Sequence, residues 1–91
     1  MTESVQKRAY RAEKLFQQAL KSHRAGCLNE AIQGYTASLA INPDQPQAYN
    51  NMGVALRATG AFHAAVASYQ RAIAIRDDDP GSHSNLGNAL R

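Results

Sequence analysis

The feature that most constrains how this chain folds is a repeat with a period of 34 residues. The segment Asn51–Arg57 recurs as Asn85–Arg91, with matched residues 34 positions apart. Further pairs have the same offset: Gly26 and Gly60, Ala31 and Ala65, Tyr35 and Tyr69, Ile41 and Ile75, Asp44 and Asp78, Pro46 and Pro80. A fixed period of this length is typical of a supersecondary unit that stacks on copies of itself. We therefore expect a linear stack that acts through the surface created by stacking.

Hydrophobic periodicity predicts five helices inside this repeat. They cover about residues 4–24, 28–41, 45–58, 62–75 and 80–91, with apolar side chains at helical spacing. Gly26 and Gly60 follow the first and third helices, where glycine can adopt the left-handed conformation that ends a helix. Because each connection is only a few residues long, consecutive helices must pack antiparallel. The predicted fold class is an all-α helix-turn-helix solenoid.

Capping side chains mark the starts of the third and fifth helices. Pro43 stops the second helix, Asp44 is predicted to be the N-cap of the third, and Gln47 is placed to complete a capping box. Asp77–Asp79 are predicted to cap the fifth helix, because negative charge stabilises the positive end of a helix dipole.

Composition and charge argue against several classes of function. No apolar run approaches the roughly 20 residues of a membrane span, and the first residues do not resemble a secretory signal. Cys27 is the single cysteine, so we expect no internal disulfide and a cytoplasmic location. The net charge of +3 sits largely between Lys7 and Arg24. It lacks the density and interleaved aromatics of a nucleic-acid patch, so we interpret it as a solvated helix face.

The repeated residues resemble those of the tetratricopeptide repeat (TPR) family, whose unit has 34 residues and a pattern of the type W-x2-L-G-x2-Y, A-x3-F, P. The middle unit matches at Tyr49, Met52, Gly53, Leu56, Ala65 and Tyr69, the first at Ala31, Tyr35 and Pro43, and the third at Leu86, Gly87 and Leu90. The resemblance divides the chain into an N-terminal extension of the first helix (1–11), two full repeats (12–45 and 46–79) and the first helix of a truncated third (80–91).

Small residues and aromatics are expected to set how closely the helices pack. Glycine or alanine at Gly53, Gly87, Ala31 and Ala65 lets paired helices approach, while the rings of Tyr35 and Tyr69 fill the space between units. We predict that a large side chain at Gly53 would wedge two helices apart.

The resemblance also implies a binding surface, because the TPR family binds extended peptides or partner helices on a concave face lined by the first helix of each unit. The matching positions are Phe16, Gln17, Leu20 and Arg24 in the first unit, Asn50, Asn51, Val54 and Arg57 in the second, and Asn85, Asn88 and Arg91 in the third. Asn51 and Asn85, with Gln17 at the equivalent position, form an asparagine ladder of the type seen in O-GlcNAc transferase-like superhelical repeat proteins.

Two kinds of contact follow from these side chains, and each has an alternative. The asparagine amides can donate to and accept from a peptide backbone, or they bond a neighbouring turn. Arg57 and Arg91, joined by Arg24, can pair with the carboxylate of an acidic or C-terminal peptide, or with a neighbouring helix. Phe16 and Leu20 occupy the first-unit positions where the family's carboxylate clamp uses lysine and asparagine, so no clamp is expected.

No arrangement of residues predicts catalysis, a metal site or a cofactor. His23, His63 and His83 have no paired-ligand spacing, and Cys27 has no evident activating base. We therefore predict a non-catalytic module that binds a protein or peptide, with neither nucleic acid nor membrane as partner. The alternatives are a substrate-recruiting arm of a larger enzyme, such as a glycosyltransferase, and a self-assembly module that forms weak homo-oligomers through its open C-terminal end.

Overall fold

The computed structural model describes residues 4–90, which form five helices in chain order. They are α1 (Val5–Arg24), α2 (Leu28–Ile41), α3 (Pro46–Ala58), α4 (Phe62–Ile75) and α5 (Pro80–Leu90). Each helix packs on the next, and α3 also contacts both α1 and α5. This arrangement confirms the predicted all-α solenoid. No helix among residues 4–90 is long and apolar enough to cross a membrane.

The two glycine turns have the same geometry. Gly26 and Gly60 have φ values of 83° and 88°, a backbone conformation that residues with a Cβ rarely adopt. The N–H of Cys27 donates to the Ser22 carbonyl at 2.9 Å, and Ala61 repeats this bond one unit later at 2.9 Å. Both turns therefore satisfy the carbonyls left unpaired at a helix C-terminus.

The predicted cap of α3 is wrong, whereas the predicted cap of α5 is confirmed for Asp79 alone. Gln45, one residue after Asp44, occupies the N-cap position of α3, and no side-chain cap hydrogen bond forms there. Asp44 instead donates its backbone N–H to the Asn42 side chain at 3.1 Å. At α5, the Asp79 carboxylate accepts the Gly81 N–H at 3.0 Å and the Ser82 hydroxyl at 3.2 Å.

The core lies between paired helices and consists mainly of alanines around two tyrosine rings. Ala31, Tyr35, Ala65 and Tyr69 are at most 1 % exposed. A Cβ placed on Gly53 would lie 2.5 Å from Tyr69 Cε1, so only a glycine leaves room for this ring. Nothing lies within 4 Å of the equivalent Cβ position on Gly87, because the described residues include no helix packed there.

The face through which one unit stacks on the next is apolar on α3 but polar on α1. In α3, Ala48 and Ala55 are fully buried, but the residues 34 positions earlier are Lys14 and Lys21, both exposed. A polar face at this position is what an end unit needs, since no preceding unit covers it among the described residues.

Candidate functional site

Two depressions follow each other along the exposed face of α3. The first, which we call the amide depression, has a volume of about 200 Å³ and is lined by Pro46, Gln47, Asn50, Asn51, Arg76 and Asp79. The second, the apolar depression, has a volume of about 400 Å³ and is lined by Val54, Arg57, Ala58, Phe62, Tyr69 and Asn85. Their α3 residues recur at intervals of three and four, which is the spacing of one helical face. The two depressions therefore form one groove along that face.

The two asparagines predicted as equivalent rungs of a ladder have different surroundings. The Asn85 amide nitrogen donates to Asn50 Oδ1 at 2.9 Å, which links α5 to α3. The Asn51 side chain makes no hydrogen bond with any part of the described chain. The reason lies in the sequence, because the residue 34 positions before Asn50 is Phe16, which has no amide to accept the bond. Asn51 thus keeps its full donor and acceptor capacity.

Phe16 lines neither of the two depressions, contrary to the prediction from the family pattern, and reaches only a neighbouring one beside Pro46 and Gln47. Its side chain is only 6 % exposed, and its ring packs at 5.9 Å between centroids against the buried ring of Tyr35. Leu20 is half-buried and packs against the same core cluster. Apolar groove surface comes instead from Val54, which is 38 % exposed.

The remaining predicted positions divide between groove and open surface. Gln17 is exposed and donates to Glu13 Oε1 at 2.7 Å, one turn earlier on α1. Arg24 and Asn88 are exposed and line neither depression. Arg91 lies outside the described residues.

Charge in the groove is set by two arginines in different situations. At the amide depression, Arg76 Nε bonds Asp78 Oδ1 at 2.8 Å, and this pair holds the pKa of Asp78 below its ordinary value. At the apolar depression, Arg57 pairs with no carboxylate within residues 4–90. Burial raises the pKa of Tyr69, and the positive charge of Arg57 partly opposes that shift. The Arg57 guanidinium is therefore close enough to Tyr69 to affect its hydroxyl and is available to an incoming anion.

Several groove residues were not predicted to bind, among them Ala58, Phe62 and Arg76. Phe62 begins α4 and is 57 % exposed, which places a large ring at the edge of the apolar depression. The 34-residue offset could have indicated it, because Leu28 begins α2 at the equivalent position. Arg76 could not have been found this way, since the equivalent residue is Asn42.

Metal binding has no support within the described residues. No three histidine, cysteine, aspartate or glutamate side chains in residues 4–90 come together in a way that could hold an ion.

Comparison with known families matches the TPR repeat model to residues 23–60 and again to residues 55–90. The chain belongs to the tetratricopeptide repeat family. A comparison with curated protein sequences finds no significant match.

Solved TPR domains superpose closely on this chain. The first TPR domain of Spaghetti (RPAP3), bound to the HSP90 peptide SRMEEVD, is 25 % identical, with a TM-score of 0.86 over 89 % of this chain and 64 % of that one. The Sgt2 TPR domain from Aspergillus fumigatus is also 25 % identical, with a TM-score of 0.82 over 87 % of this chain and 52 % of that one. The Arabidopsis OM64 TPR domain is 18 % identical, with a TM-score of 0.87 over 90 % of this chain and 68 % of that one. The chain thus spans less than two thirds of the length of the first two domains.

Proposed function

We propose that this chain is a protein-interaction module that binds an extended peptide segment in the groove along α3. The observation that carries the proposal is Asn51, whose amide lies half-buried at the amide depression without a hydrogen-bonding partner among the described residues. No side-chain nitrogen or oxygen within residues 4–90 is both buried and unpaired, so the Asn51 amide is open to solvent. A peptide backbone can replace that water, because it supplies both the acceptor and the donor that an amide requires. The peptide held by the similar domain of Spaghetti supports the same role.

The proposed mode of binding is recognition of the backbone by amides, as in the asparagine-ladder type. Asn51 would contact the peptide directly. Asn85 would act differently, because one of its two N–H donors is already taken by Asn50, which leaves its oxygen and a single N–H for a peptide. A lysine-based carboxylate clamp is not part of the proposal, since Phe16 and Leu20 occupy the relevant first-unit positions.

The proposed activity is binding without catalysis, in the cytoplasm. This follows the family, whose members act through a stacked surface, and no constellation of nucleophile and base in the sequence competes with it. The bound partner would be a protein segment.

Selection of a random peptide library on the immobilised chain tests the proposal. We expect enrichment with wild type and a loss of about fivefold to thirtyfold with Asn51→Ala, since one or two hydrogen bonds of about 1 kcal/mol each would be lost. Gln33→Ala is the matched control, because Gln33 is an exposed amide on α2 that lines neither depression. Enrichment that is equal in all three proteins, or absent in wild type, would refute peptide binding by this groove.

A second candidate is self-association through α5. Leu90 is 64 % exposed, and Gly87 has open space where the equivalent Gly53 packs on a ring. Exposed apolar surface beside an open stacking face favours contact with another helix. Sedimentation equilibrium should give a mass that rises with concentration for wild type and stays at the monomer value for Leu90→Glu. A constant monomer mass for wild type would exclude this candidate.

A further inference from the structure

The apolar depression has an unusual composition for an exposed surface. Val54 and Phe62, which are 38 % and 57 % exposed, come from different helices yet line the same depression. Leaving two large apolar side chains adjacent in water forgoes roughly 1 kcal/mol or more of burial free energy for each. Apolar side chains gathered in this way are typical of a contact surface.

The walls of this depression are held in place before any ligand arrives. Its floor is the Tyr69 ring, which cannot move toward α3 because Gly53 already lies against it. Asn85 forms a third side and is fixed by its 2.9 Å hydrogen bond to Asn50. Binding of a ligand here therefore requires little additional ordering of these side chains, and the small entropic cost favours affinity.

The equivalent position in the first unit is filled by the chain's own side chains. There His23 replaces Arg57, and its Nδ1 lies 2.9 Å from the Tyr35 hydroxyl, with the two rings edge to face at 5.9 Å. In the second unit the Tyr69 hydroxyl makes no hydrogen bond within the described chain. Because arginine replaces histidine in the second unit, the Arg57 guanidinium and the Tyr69 hydroxyl both remain available as donors beside an apolar surface.

We infer that the apolar depression is a specificity subsite for an apolar side chain next to an acidic residue of the bound peptide. The inference rests on the proposed function and names the sequence that the groove selects. A side chain the size of leucine or phenylalanine fits the 400 Å³ volume against Val54 and Phe62. The neighbouring carboxylate pairs with Arg57, whose planar guanidinium offers a fork of donors, and accepts a further bond from the Tyr69 hydroxyl.

Three peptide libraries test this subsite, each random except for a central dipeptide: Leu-Glu, Ser-Glu or Leu-Gln. We expect wild type to enrich the Leu-Glu library about tenfold or more over Ser-Glu, because burial of a leucine contributes at least that ratio. Over Leu-Gln we expect about twofold to fivefold, because Arg57 is exposed and an exposed charged pair contributes less. Phe62→Ser should remove the preference for leucine over serine. Arg57→Gln should remove the preference for glutamate over glutamine. Both side chains are exposed, so these variants are expected to fold, as circular dichroism will verify.

Matched controls are Val5→Ser and Arg71→Gln, exposed residues that line neither depression in the groove. Both should retain the two preferences. Peptide capture that depends on Asn51 but is equal for the three libraries would overturn the subsite and leave the proposed function intact. A leucine preference that survives Phe62→Ser would also overturn the subsite. Failure of wild type to capture any library would overturn the proposed function and the subsite together.

Discussion

Replacing Gly53 by alanine tests the contact on which the α3–α4 packing depends. The new Cβ would lie 2.5 Å from Tyr69 Cε1 and 2.7 Å from Cδ1, whereas carbon atoms in ordinary contact are about 3.5–4.0 Å apart. The ring must therefore move by about 1 Å, although it is only 1 % exposed and enclosed by the core. Overpacking of this kind costs about 1–3 kcal/mol. Alanine also stabilises a helix by up to about 1 kcal/mol relative to glycine, which offsets part of that cost.

Gly87→Ala is the matched control, since it makes the same substitution at the equivalent position of α5. No atom lies within 4 Å of its added Cβ, so only the gain in helix propensity applies. We expect Gly87→Ala to stabilise the protein slightly and the two variants to differ by about 1–3 kcal/mol. A domain of this size has a free energy of unfolding of roughly 5–15 kcal/mol, so the difference is measurable. Gly53→Leu adds three more carbons at the same point and should unfold the stack.

Urea denaturation followed by circular dichroism gives the free energy of unfolding of wild type and both alanine variants. A midpoint that falls for Gly53→Ala and does not fall for Gly87→Ala supports the packing account. Equal upward shifts would mean that Tyr69 accommodates a Cβ without cost. A wild-type melting temperature for Gly53→Leu would show that α3 and α4 do not depend on close approach at this position.

Three further predictions concern the core. Gly34→Ala should destabilise the protein at least as much as Gly53→Ala, because the new Cβ would lie 2.8 Å from Ala19 Cβ and 3.2 Å from Ala19 Cα. Backbone atoms cannot relieve such a contact by a change of rotamer. A urea midpoint equal to that of wild type would contradict this prediction. Ser38→Ala should cost about 1 kcal/mol in the same assay, because it deletes a buried 2.6 Å hydrogen bond to an α1 carbonyl. Burial raises the pKa of Tyr69 above the ordinary 10.0, so the folded state holds this proton longer than the unfolded state, and stability falls as pH rises from 10.0 through the raised pKa. Unfolding free energies measured across this range should fall less steeply for Tyr69→Phe than for wild type or for Tyr10→Phe, which alters an exposed ring; identical slopes would refute the assignment.

The sequence predicts the helices and their pairing well because the signals are local and occur twice. The spacing of apolar residues and the glycines at 26 and 60 each determine structure within one or two helical turns. The α2 and α4 boundaries in the structure are those that the pattern predicts. The N-cap of α3 was missed for a physical reason. Asp44 and Gln45 both precede a proline-initiated helix, and Gln45 has a longer side chain that reaches back to the Asn42 carbonyl at 2.8 Å. This local turn competes with side-chain capping at the start of α3.

Sequence reasoning was weaker for the groove, because groove contacts join units that are far apart in the chain. The Asn85–Asn50 bond spans 35 residues, and no local pattern distinguishes it from an asparagine that faces a ligand. Phe16 illustrates the same difficulty. It occupies a position that the family uses for binding, but a large apolar side chain gains more by turning toward Tyr35 than by remaining in water.

A comparison of the two units distinguishes residues that serve packing from residues that are available for binding. Where packing decides, the units agree, as with Tyr35 and Tyr69, which are both almost completely buried. Two differences along the groove open the second unit: Arg57 stands in place of His23, and Asn50 stands in place of Phe16. In the first unit the Tyr35 hydroxyl lies 2.9 Å from His23 Nδ1, and the Phe16 ring stands at the position equivalent to Asn50, so the chain's own side chains occupy both positions. Because the second unit replaces both with groups that have spare hydrogen-bonding capacity, selectivity for a ligand is expected to reside in α3, between the amide and the apolar depressions.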